Sequence, residues 1–164
     1  MLRPWVEKGK AWAQNMLGQR YDHGVGVEQS YQQAKELLEL AASKGHAGAQ
    51  YNLGRLYTTG RGVDQSYERA KEYYEAAARQ GLDSAQCNLG CLYANGQGVE
   101  QSFETAREWW MKAAEEGDER AIENLQVLDE AEGRTTPSFI PPKRCSTCDA
   151  PKTSTHKLRN CLLL

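Results

Sequence analysis

Apolar residues recur through the first 130 or so positions at helical spacing. Ala49, Leu53, Leu56 and Tyr57 follow one another at intervals of four, three and one, which places them on one face of a helix. Gly60-Arg61-Gly62 ends that helix, because glycine accepts the left-handed backbone of a helix C-terminus. Ser66 then stands where an N-cap belongs, its hydroxyl able to accept a helix N–H, and Glu68 falls in the electropositive first turn. Ala70, Tyr73, Tyr74, Ala77 and Ala78 make a second one-sided helix, closed by Gly81. The alanines let helices approach closely, and the large residues fill the gaps between them. Tyr73 and Tyr74, Trp109 and Trp110, and Leu37 and Leu38 share one register and are expected in the core.

That register is a repeat. Shifting the chain by 36 residues brings Gly26-Val27, Gly62-Val63 and Gly98-Val99 together, and residues 49–84 match both 13–48 and 85–120 at 18 of 36 positions. Half identity at a fixed period of this size marks a stacked array of helix pairs, since one pair cannot hide its own apolar face. Three full units are expected, 13–48, 49–84 and 85–120, followed by a fourth first helix carrying Ala121, Asn124, Leu125 and Leu128. Lys8-Gly9 aligns with Lys44-Gly45, so residues 2–9 read as the end of a second helix. The start is either part of a longer array or a cap made by Trp5 and Trp12.

The run Ala49-Gln50-Tyr51-Asn52-Leu53-Gly54, followed by Tyr57, Gly60, Gly62-Val63, Ala70, Tyr74, Ala77-Ala78 and Gly81, resembles the Sel1-like repeat, a relative of the tetratricopeptide repeats. The resemblance spans roughly residues 5–130 and recurs three times. It implies an all-α fold, a right-handed α/α superhelix of antiparallel helix pairs, used as a protein-interaction scaffold. The family contributes no catalytic residues, and no acid–base or nucleophile set stands out in the chain, so an enzyme is not expected. The organisation that follows is a solenoid over 1–132, a proline-containing linker over 133–144 and an irregular basic, cysteine-containing tail over 145–164.

Charge sharpens this division. The net charge is −2, but residues 133–164 carry six Lys and Arg against Asp149 alone, which leaves residues 1–132 with an excess of seven acids. An acidic groove on that body would suit a basic peptide, and no nucleic-acid partner is expected. No run of 18 apolar residues occurs, Met1 to Lys10 lacks the apolar stretch of a signal peptide, and the five cysteines are not laid out as a disulfide framework. An intracellular monomer, cytoplasmic or nuclear, is the expectation.

Partner contacts are expected at positions of the first helices that differ between units, because those helices should line the concave face. Asn15, Tyr51 and Cys87 form one such level and Gln19, Arg55 and Cys91 the next; Asp22, Thr58 and Ala94, then His23, Thr59 and Asn95, continue it. Tyr51 and Arg55 stand at i, i+4 and are residue types that anchor interfaces, so this pair ranks first. Asn52, Asn88 and Asn124 repeat at 36 residues, either as amides gripping a peptide backbone or as framework amides bonded to a neighbouring helix. The G-x-G loops have no preceding strand and no Gly-Lys-Ser/Thr, so they are not phosphate loops. Cys87 and Cys91 lack the further ligands a metal site needs.

The tail admits rival readings. Cys145-Ser146-Thr147-Cys148 with His156 and Cys161 could hold one zinc, as a Cys-three-His set. The stretch resembles the opening of a MYND-type zinc finger, which would imply zinc and peptide recognition. It departs from that family at Leu164, which stands where the next cysteine belongs. Cys161-Leu162-Leu163-Leu164 is also a C-a-a-X box, preceded by Lys152, Lys157 and Arg159, and a prenylated Cys161 would tether the scaffold to a membrane. The third reading is a disordered basic tail. No cofactor is expected on the repeats themselves.

Overall fold

The computed structural model describes residues 2–134 and Phe139. Every regular element among these residues is an α-helix: α1 (Arg3–Glu7), α2 (Ala11–His23), α3 (Tyr31–Ala42), α4 (Ala47–Thr59), α5 (Tyr67–Ala78), α6 (Asp83–Asn95), α7 (Phe103–Glu115) and α8 (Glu119–Ala131). Helices α2 and α3, α4 and α5, and α6 and α7 form consecutive pairs, each packed on the next, and α8 stacks on α7. The short α1 covers the residues read from sequence as the end of a second helix, and it packs on α2.

Each pair is built by the same local chemistry. The hydroxyls of Ser30, Ser66 and Ser102 accept the backbone N–H groups of Gln33, Arg69 and Thr105 at 3.3, 3.2 and 3.1 Å, which caps α3, α5 and α7. The first helix of each pair ends on a left-handed glycine, Gly60 in the case of α4. Its last carbonyls need partners outside the helix. The side-chain amides of Gln29, Gln65 and Gln101 supply one, donating to the carbonyls of Asp22, Thr58 and Ala94 at 2.7 Å in every unit. The backbone N–H of the capping serine supplies another, donating to the carbonyls of Tyr21, Tyr57 and Tyr93. The loop is therefore fixed at both ends.

The core runs through the stack as columns. Ala13, Ala49, Ala85 and Ala121 are inaccessible to solvent, as are Ala34, Ala70 and Ala106 and also Ala41, Ala77 and Ala113. Within each pair a glycine of the first helix faces the largest residue of the second. A Cβ at residue 54 would lie 2.5 Å from Tyr74 Cε1, one at residue 90 would lie 2.5 Å from Trp110 Nε1, and one at residue 18 would lie 2.9 Å from Leu38 Cγ. Of the paired large residues, Leu38, Tyr74 and Trp110 are buried, while Leu37, Tyr73 and Trp109 are half-buried. Tyr73 stacks on buried Tyr57, ring centroids 5.6 Å apart. Between units, the loop glycine Gly98 sits against the start of α5, where a Cβ would come 2.6 Å from the Tyr67 carbonyl carbon.

The two ends differ from the repeating interior. Trp5 and Trp12 lie with ring centroids 6.0 Å apart, and each keeps 44% of its surface exposed. At the other end Phe139 is half-buried and packs against the cluster containing Trp110, Leu125 and Leu128. The stretch expected to be only a linker thus returns one aromatic side chain to the solenoid. Cys145, Cys148, His156 and Cys161 lie outside the described residues, and with them the zinc and prenyl readings.

Two measurements check this packing. Tyr57→Ala removes a large buried aromatic, and urea denaturation should show a loss of about 3–5 kcal/mol; a loss under about 1 kcal/mol would place the ring outside the core. Gly54→Ala should destabilise by about 1–3 kcal/mol through overpacking, although alanine is the better helix former by about 1 kcal/mol. Combined with Tyr74→Leu, which removes the clashing ring, the double mutant should lose less than the two single losses added together, by about 1 kcal/mol.

Candidate interaction groove

The first helices α4, α6 and α8 share a groove of about 290 Å³. Helix α4 contributes Tyr51, Arg55, Thr58 and Thr59; helix α6 contributes Asn88, Cys91, Leu92 and Asn95. Gln97 follows from the loop, Arg120 from the first turn of α8, and Tyr74 reaches in from α5. Tyr51 and Arg55 are both half-buried, one helical turn apart on α4. The Tyr51 and Tyr74 rings lie 5.9 Å apart at a tilt of 43°, a favourable arrangement for two aromatic quadrupoles.

The polar groups around these rings are tied together. The Tyr74 hydroxyl lies 3.2 Å from Thr58 Oγ1, and Thr58 donates to the Gly54 carbonyl at 2.8 Å. Burial pushes the Tyr74 phenol up to about 12, while hydrogen bonds to Thr58 and Asn88 pull the other way. Arg120 donates to Asn88 Oδ1 at 3.4 Å and to Asp118 Oδ2 at 3.0 Å. Asp118 is itself buried and caps α8 by accepting the Ala121 N–H at 3.0 Å. Burial works against the Arg120 charge, but the hydrogen bond and charge of Asp118 outweigh it and hold the guanidinium above its ordinary value.

The residues singled out in the sequence are distributed unevenly. Tyr51, Arg55 and Asn88 meet in the groove together with Thr58, Thr59, Cys91 and Asn95. Asn52 does not line it. Its amide is buried and donates to Asn15 Oδ1 at 3.0 Å, which joins α4 to α2 inside the stack. Asn124 lies with Nδ2 3.7 Å from Cys91 Sγ, so the three asparagines of the 36-residue ladder occupy three different settings. Gln19 is exposed on α2, away from the groove, and Asp22 and Ala94 are buried. Cys87 is buried, and the described residues hold no group of three His, Cys, Asp or Glu side chains able to bind a metal.

Four lining residues, Tyr74, Leu92, Gln97 and Arg120, escaped the sequence reading. Tyr74 belongs to a second helix and reads as pure core. Arg120 stands one turn before the levels compared; its counterparts are Gly48 and Ser84, so the change from small to large side chain was the available signal. The expectation of an acidic groove is also corrected: two arginines and no carboxylate line it.

A family model for the Sel1 repeat matches residues 13–46, 47–82 and 83–118. The chain belongs to the Sel1 repeat family. Among solved structures it is similar to a Sel1 repeat protein from Oxalobacter formigenes, with 35% identity over 76% of this chain and 50% of that one, at a TM-score of 0.70. It is also similar to c5321, a protective antigen of uropathogenic Escherichia coli strains with the same repeat fold, with 36% identity over 79% of this chain and 28% of that one, at a TM-score of 0.75. The chain therefore spans half or less of either neighbour. No curated protein matches it at a significant level. No helix among the described residues is long and apolar enough to cross a membrane. In Sel1 repeat terms, the groove lies on the first helices of the second and third matched units and the helix that follows them.

Tyr74 makes part of this geometry measurable by pH. An unfolded tyrosine ionises near 10, whereas the folded phenol holds its proton to about 12. Between those values the unfolded chain binds fewer protons, so stability falls as pH rises through this window. Below pH 10 both states are neutral and the group contributes no pH dependence. Thermal unfolding of the wild type relative to Tyr74→Phe should show a differential loss approaching about 2–3 kcal/mol by pH 12; parallel curves would mean the phenol is hydrated.

Proposed function

We propose that the chain is a non-catalytic protein-interaction scaffold that binds a peptide segment of a partner protein in the groove across α4, α6 and α8. One observation carries the reading: half-buried Tyr51, Arg55 and Asn88 and exposed Arg120, from three successive first helices, converge on one groove around the Tyr51–Tyr74 ring pair. The Tyr51 ring, held in place by buried Tyr74, gives contact area at little entropic cost, and arginine with an amide gives directional hydrogen bonds, the usual composition of an interface anchor. The Sel1 repeat fold supports it further, since stacked helix pairs present a continuous face to a partner.

Partner capture by the full chain, followed by titration of the captured protein, tests this. Tyr51→Ala should weaken binding by at least about 2 kcal/mol, the level that marks a hot spot, with the thermal midpoint nearly unchanged. Glu72→Ala, an exposed change on α5, should leave binding unaltered. Parallel losses of stability and binding in Tyr51→Ala would make Tyr51 a core residue and overturn the assignment.

A further inference from the structure

We infer that the groove selects an acidic peptide segment, with Arg55 reading a side-chain carboxylate. The inference rests on the peptide-binding reading above and adds the chemistry of the partner.

Three observations converge on it. The first is charge placement. Residues 1–132 carry an excess of seven acids, yet the groove lining contains Arg55 and Arg120 and no Asp or Glu. The second is register. Arg55 corresponds to Gln19 and Cys91 in the other units, and Arg120 to Gly48 and Ser84. Neither position needs a cation for the repeat to fold, so both cations are departures from the framework that happen to meet at one place. The third is pairing. Arg120 is matched by Asp118, at 3.0 Å, and by Asn88. Arg55 forms no ion pair among the described residues although it is half-buried beside the ring pair. The groove thus holds one cation whose charge nothing in its lining balances.

A carboxylate is the group that completes this arrangement. Guanidinium and carboxylate meet through two parallel N–H···O bonds, which lysine or a neutral donor cannot reproduce. The acidic body repels an acidic partner at long range, but that repulsion is screened beyond about 8 Å at physiological ionic strength, and contact with Arg55 lies inside that distance. The groove also suits a passing chain more than a chain end. Its lining comes from three successive first helices, so a bound segment crosses more than one unit. A segment lying across the groove sets one apolar side chain over Tyr51 and an acidic one toward Arg55.

Selection of random dodecapeptides displayed on phage, using the full chain, Arg55→Gln and Arg55→Glu, tests the inference. The wild type should enrich Asp and Glu, Arg55→Gln should lose that bias, and Arg55→Glu should enrich Lys and Arg. Circular dichroism of each variant checks that the helices are intact. The best wild-type peptide is then made with acetylated and amidated ends. Changing its acidic residue to the matching amide should weaken binding to the wild type about tenfold or more, and should change binding to Arg55→Gln little. Enriched peptides that are neutral or basic but depend on Tyr51 would overturn the acidic selection and leave the peptide groove standing. Binding that requires a free C-terminal carboxylate would overturn the passing-segment form. Absence of any Tyr51-dependent peptide would overturn the groove reading together with this one.

Discussion

The structure depends on a missing side chain. At Gly18, Gly54 and Gly90 the first helix of each pair has no Cβ, and Leu38, Tyr74 and Trp110 of the second helix occupy the space. Interiors pack at crystal-like density, so this hole sets how closely the pair approaches. The alanine columns around it hold the same spacing across units, because each is inaccessible at every level of the stack. Glycine in the middle of a helix costs about 1 kcal/mol relative to alanine. Burying a large side chain offsets that cost, at about 1.5–3 kcal/mol.

The same constraint prepares the groove. Leu38 is apolar to its tip. Trp110 ends its polar edge inside the core, donating Nε1–H to the Cys87 carbonyl at 3.1 Å. Tyr74 is the middle case: its ring passes Gly54, and its hydroxyl ends, still buried, beside Thr58 and Asn88 beneath the groove floor. A packing residue in two units thereby becomes a lining residue in the third. The cations follow a parallel logic on the surface, where Arg55 and Arg120 replace small or neutral counterparts without disturbing the columns beneath them.

This explains what could be read from the chain and what could not. Ser66, Gly60 and Tyr57 declared their roles because capping, helix termination and one-sided spacing are local, and because each recurs at 36 residues. Repetition turns three weak local signals into a fold. Tyr51 and Arg55 were legible as departures from the repeat. Tyr74 was not, since its apolar ring gives a core signal and only the neighbouring Gly54 decides where its hydroxyl ends. Asn52 and Asn88 share one register yet differ in setting, because their neighbours differ: Asn15 takes the Asn52 amide, while Arg120 donates to Asn88. Phe139 lies after Pro137 and has no periodic partner in sequence, so its packing against Trp110 and Leu128 is a tertiary fact alone.

The placement of the groove has an energetic consequence. In a stack of this kind, stability is close to a sum of unit terms and nearest-neighbour interface terms. The inner elements carry most of the repeated bonds, and the ends carry Trp5 and Trp12, which stay nearly half exposed. Helices α4, α6 and α8 belong to consecutive units, so a ligand held among them touches two interfaces between units at once. Its binding energy adds to the cohesion of those interfaces by linkage, while α1 and α2, which do not line the groove, gain only through the contact of α2 with α3 and α4. Binding therefore stiffens one half of the solenoid more than the other, and the asymmetry follows from where the framework leaves room for variation.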